Sequence, residues 1–143
     1  MTAAAPDQPI RDAATVVLVR RDGPSGPRVL MGQRGAGAAF MPSKYVFPGG
    51  AVDPGDRLLA SAVSLPEGMR TALTAWPTTP HPPSPEALAL AAIRELWEEA
   101  GLMLAAPGDW SGPLPADWQA FAGRHLTPRP EALHFLFRAV TPP

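Results

Sequence analysis

The chain of 143 residues contains no cysteine, so disulfide staples and thiolate metal sites are both excluded. Charge is scarce at 17%, and 12 basic residues against 13 acidic ones leave a formal net charge of -1, no electrostatic footprint for nucleic acid or anionic lipid. No apolar run reaches the ~18 residues of a membrane span, and residues 1–11 lack the apolar centre of a signal peptide. His81, His125 and His134 have no metal-ligand spacing, and Ser61 and Ser64 have no base nearby in sequence, which removes serine as well as cysteine nucleophiles. Together these absences predict a soluble, cytoplasmic protein without nucleic-acid or membrane partners, and the length suits one domain able to bury its own core.

What the chain has in plenty is proline and glycine, 20 and 13 residues, and they cluster as punctuation between elements. A flexible arm is expected over 1–12, then one domain over 13–143. The β-branched run at 13–20 reads as a buried strand, 28–33 as its hairpin return, and 44–47 as a short strand ended by Pro48. Ser84 followed by Pro85 is a helix start, and Gly101 a left-handed stop. Between them Ala89, Ile93, Leu96, Trp97 and Ala100 recur on one face with helical spacing. A short helix over 116–125 and a strand over 132–140 complete an alternation of strand and helix that predicts the α/β class.

The densest chemistry lies in Arg94-Glu95-Leu96-Trp97-Glu98-Glu99-Ala100-Gly101-Leu102. At ~100° per residue Glu95 lies beneath Glu98 and Glu99, and Arg94 beneath Glu98. Like charges at those spacings repel, so the arrangement costs helix stability unless a hard cation sits among the oxygens. An acidic face that is merely solvated usually interleaves lysine, and here none does.

With Phe47-Pro48-Gly49-Gly50 upstream, this stretch resembles the Nudix box: glycine, five residues, glutamate, seven residues, then Arg-Glu-aliphatic-any-Glu-Glu-any-Gly-aliphatic. Every defined position of the second half matches. In the first half Asp56 stands six positions after Gly50, whereas counting back from Arg94 reaches Glu86, 36 positions after Gly50; about 30 residues are inserted, roughly 57–84. Asp56 and Glu86 compete for the acidic role, and Glu86, already on the helix, is preferred. The insert reads equally as a tolerated surface loop or as a lid that sets specificity.

The resemblance implies a Nudix-type α/β/α sandwich around a mixed sheet, and a divalent-metal-dependent hydrolase that cleaves the diphosphate of a nucleoside diphosphate derivative. Its metal, Mg2+ or Mn2+, would be held by Glu98, Glu99, Glu95 and the Gly49 carbonyl. Glu95 would serve a second metal or act as base toward water, and Arg94 would orient a glutamate such as Glu98. Arg34 and Glu86 are candidate substrate contacts. The long insertion most resembles the branch of peroxisomal coenzyme A diphosphatases and their bacterial relatives, which makes coenzyme A or acyl-coenzyme A the substrate to consider. The arginine and glycine of the coenzyme A signature fall on Ala39 and Ser43 here, so that signature is absent. Such proteins continue beyond a strand like 133–140, which predicts a fold incomplete at its C-terminus: a shortened form, or a sheet completed by a second copy in a homodimer. The same departure supports another reading, a nucleotide-binding or regulatory module with little or no turnover. Trp76, Trp97, Trp110 and Trp118 are expected mainly in the core, with base stacking as the rarer use.

Overall fold

The computed structural model describes residues 11–38, 42–77 and 79–140; the arm expected at 1–12, save Arg11 and Asp12, and Ala39 lie outside them. In chain order the elements are β1 (Ala13–Thr15), β2 (Val19–Arg20), β3 (Arg28–Val29), β4 (Gly32–Gln33), β5 (Tyr45–Val46), β6 (Gly49–Ala51), α1 (Pro54–Leu59), α2 (Glu67–Thr74), α3 (Pro85–Ala100), β7 (Ala105–Pro107), α4 (Gln119–Ala122) and β8 (Leu126–Pro128). Among the described residues no helix is long and apolar enough to cross a membrane.

The strongest local signals are those of α3. Ser84 Oγ accepts the Ala87 N–H at 3.2 Å, Pro85 opens the helix, and Gly101 closes it at φ 68°. A capping hydroxyl of this kind contributes about 1 kcal/mol. Leu90 and Ile93 pack with Leu59, Trp118 and Phe121 on one flank, and Ala92 and Leu96 with Val16 on the other. Buried on both flanks, the helix is fixed in rotation, and that rotation sets where Arg94 and the glutamates point.

The α/β class stands. The described strands form four two-stranded antiparallel sheets, β1–β6, β2–β3, β4–β5 and β7–β8, and the parallel pairing of a mixed sheet is absent among the described residues. The strand expected over 13–20 is divided because it changes partner: Val16 N–H bonds the Pro48 carbonyl, whereas Leu18 accepts from Leu30 N–H. Over 132–140 the expected strand does not form. A single 3-10 turn at Pro130–Ala132 leads into extended chain without a ladder, where Leu136 and Phe137 are exposed.

The insert is not a bare loop. It contains the end of α1, a 3-10 turn at Ala60–Ala62, and α2, which docks on the first turns of α3 through the Arg70 Nη1–Glu86 Oε1 contact of 2.5 Å. At ~1.5 Å per residue, Glu86 lies roughly 18 Å along the helix from Glu98.

Candidate active site

Arg94 is the hub, with a side chain only 3% exposed. Its Nε donates to Asp56 Oδ1 at 3.1 Å, and Nη2 to Asp56 Oδ2 at 3.0 Å and to the Ala51 carbonyl at 2.9 Å. Nη1 reaches Glu95 Oε1 at 2.9 Å and Glu98 Oε2 at 3.0 Å. Each guanidinium N–H thus has an acceptor, the condition for burying an arginine without loss. Burial works against the charge, but the hydrogen bonds and charges of Asp56 and Glu95 outweigh it and push the Arg94 pKa up.

This geometry reverses the preference for Glu86. Asp56 is fully buried, accepts the Asp53 N–H at 2.9 Å at the start of α1, and is the acidic residue that pairs with Arg94. Glu86, the other candidate for that position and for substrate contact, is instead paired with Arg70 at the far end of α3. A register count along one helix could not see that a short loop brings α1 beside Arg94. The available signal was Asp53-Pro54 with Asp56 three residues after the cap, a helix-start pattern.

Gly49 also has a part in the site through its backbone. Hydrogen bonds link residue 48 to 16 and 52 to 12, so the Thr15–Gly49 pair between them is a non-hydrogen-bonded one. The N–H and C=O of Gly49 therefore face away from β1, and the N–H is taken by Glu99 Oε2 at 2.9 Å. Its lack of a side chain serves the sheet, because a Cβ would lie 2.5 Å from the Ala14 carbonyl oxygen. Gly50 serves the site: a Cβ there would lie 2.5 Å from the Glu95 carboxyl carbon.

Glu95, Glu98 and Glu99 are thus gathered beside Gly49 and Gly50, with Asp56 behind them and Asp53 3.7 Å from Arg94. Four of these carboxylates, those of Asp53, Asp56, Glu95 and Glu98, face one guanidinium, and the donors are hard oxygens of the kind a hard divalent cation prefers. Among the described residues no group of three or more acidic or histidine side chains is arranged to hold a metal ion. Glu98 is turned to Arg94 and Glu99 to the Gly49 amide.

Glu95 has its pKa raised, first by burial and further by Glu98 and Glu99, with Arg94 opposing. A carboxyl raised on folding contributes stability while protonated, below its unfolded pKa, and that contribution is lost as pH rises through the folded value. Ionised Glu95 is therefore a cost at neutral pH. Glu95→Gln is expected to raise the Tm of metal-free protein at about pH 8, with the gain fading as pH falls toward about 4, the ordinary carboxylate range. Thermal melts across that interval check this, and a lower Tm at pH 8 would contradict it.

The remaining candidates lie elsewhere. Arg34 sits at the loop end of the β4–β5 hairpin, bonding Lys44 and Ser43 through its backbone. Ser43, at the signature's glycine position, has φ 59°, in the left-handed region. Trp118 is buried and Trp97 and Trp110 pack against the core as expected, whereas Trp76 is 86% exposed. A cavity of about 270 Å³ lined by Leu59, Val63, Trp110, Thr127 and Glu131 contains none of the box residues.

No protein-family model matches the chain. It is 38% identical over 137 residues to the acyl-coenzyme A diphosphatase NUDT19 of Gallus gallus, covering 74% of this chain and 36% of that protein. It is 33% identical over 93 residues to the putative nudix hydrolase 7 of Caenorhabditis elegans, covering 65% of this chain and 22% of that one. The fold resembles the crystal structure of a Nudix hydrolase from Alicyclobacillus acidocaldarius, with a TM-score of 0.66 at 30% identity over 94% of this chain and 64% of that chain. The chain thus spans well under half the length of both curated relatives.

Proposed function

This chain belongs to the Nudix hydrolase superfamily, and we propose that it hydrolyses the diphosphate linkage of a nucleoside diphosphate derivative with a divalent cation. The observation that supports this best is the Arg94 hub, which holds Glu95 and Glu98 on one guanidinium nitrogen while Glu99 is anchored on the Gly49 amide. Glu98, Glu99 and the Gly49 carbonyl would hold the cation, Mg2+ or Mn2+. Once bound, it offsets diphosphate charge and lowers the pKa of a coordinated water.

The chain's own residues supply the rest. Arg94 fixes the carboxylate rotamers, so little reorganisation accompanies reaction. Glu95, wedged against Gly50 and desolvated, is the base: its raised proton affinity suits it to take a proton from the attacking water. The water oxygen bonds to one phosphorus, the bridging P–O bond breaks, and the second phosphate leaves with the electron pair. Acyl-coenzyme A is the first substrate to try, since the relative that is 38% identical carries that name.

The test is a panel of nucleoside diphosphate derivatives, acyl-coenzyme A included, incubated with purified protein and Mg2+ or Mn2+ and analysed by mass spectrometry. Two monophosphate products in equal amount, lost on chelation, are expected. Calorimetric binding with no product under either ion would favour the nucleotide-binding module instead.

A further inference from the structure

Trp76 joins two properties that proteins rarely combine. Its side chain is 86% exposed, and its backbone sits at φ 58°, the left-handed region that bulky residues avoid. Nothing in the hydrophobic clusters requires an indole there. The flanks are nevertheless held. The Ala75 N–H bonds the Thr71 carbonyl at 3.1 Å, Arg138 Nη2 bonds the Leu73 carbonyl, and Thr79 Oγ1 donates to Asp12 Oδ2 at 2.7 Å. Strain of this kind persists only where the surroundings impose it, and such sites cluster where ligands are gripped.

The tether also limits how far this segment can lie from the strands. Asp12 accepts the Val52 N–H, and its neighbour Ala13 pairs with Ala51, whose carbonyl holds Arg94. Trp76 is three residues from Thr79, ~10 Å at most. Thr79 thereby fastens this segment to the end of the β1–β6 pair, where the Ala51 carbonyl accepts from Arg94.

We infer that Trp76 is the platform on which the aromatic base of the nucleoside diphosphate stacks, a specificity contact supplied by the insert. The inference rests on the diphosphatase reading for its ligand class. A flat, rigid, water-exposed ring suits any base face, and the diphosphate itself gains nothing from it.

Titration calorimetry of the full chain with magnesium, using ADP and inorganic pyrophosphate as probes, tests this without turnover. Trp76→Ala is expected to weaken ADP about 5- to 150-fold and leave pyrophosphate unchanged, while Trp76→Phe keeps most of the affinity. Trp76→Gly separates recognition from structure. Glycine takes this φ freely, so Tm should rise by about 2–4 °C while ADP weakens as in the alanine variant. Unchanged ADP affinity in both truncations, equal loss for both probes, a lower Tm in the glycine variant, or no ADP binding by the wild type would each overturn the platform. If the expected binding pattern appears but the substrate panel yields no product, the platform stands and the hydrolase reading falls.

Discussion

Glu98→Gln should lower kcat by about 10³-fold or more while leaving the fold intact. A bound cation supplies several kcal/mol of transition-state stabilisation, and each ~1.4 kcal/mol is tenfold in rate. Glu98 is the favoured ligand because its side chain, held at Arg94 through Oε2, is still 39% exposed. Glutamine keeps the length and can still accept from Arg94 Nη1, so circular dichroism and Tm should scarcely change. The loss should fall on kcat and on the apparent affinity for Mg2+, with substrate KM moving less. Activity within about threefold of the wild type would remove Glu98 from the machinery.

Asp56→Ala should be the most destabilising single change, at about 3–5 kcal/mol, because it leaves the Arg94 charge buried without its main partner. Both side chains are almost wholly removed from water, 0% and 3% exposed, so solvent does little to soften the loss. Against a total of ~5–15 kcal/mol, that would leave much of the population unfolded at 37 °C. Glu86→Gln is the matched control. Its partner Arg70 is 41% exposed and can turn to water, so the cost should be well below that of Asp56→Ala. Urea denaturation reads both, as a shift in midpoint at constant slope. Equal destabilisation by the two would mean that Asp56 and Glu86 are equivalent, against the geometry.

Which features the sequence made legible follows from how local their chemistry is. Ser84, Pro85 and Gly101 announce α3 through interactions within one turn, and the apolar spacing from Ala89 to Ala100 reports its buried face. The cluster of Arg94, Glu95, Glu98 and Glu99 was readable for the same reason. The Asp56–Arg94 pair was not legible because the partners lie 38 residues apart and only the packing of α1 on α3 brings them together. The β7–β8 hairpin went unread because Ala105, Ala106 and Pro107 have little strand preference, and their pairing with Leu126, Thr127 and Pro128 is made across the intervening loop. At 133–140 the opposite happened: strand preference is strong, yet no partner is present among the described residues, and preference without a neighbouring ladder does not make a sheet.

The buried Asp56–Arg94 clasp has a consequence for how this kind of protein diversifies. It joins the two ends of the intervening stretch, so the length of that stretch matters little: each doubling adds only ~0.6 kcal/mol of closure entropy. Residues between the clasped ends can therefore be exchanged like a cartridge while the Asp56–Arg94 pair stays as it is.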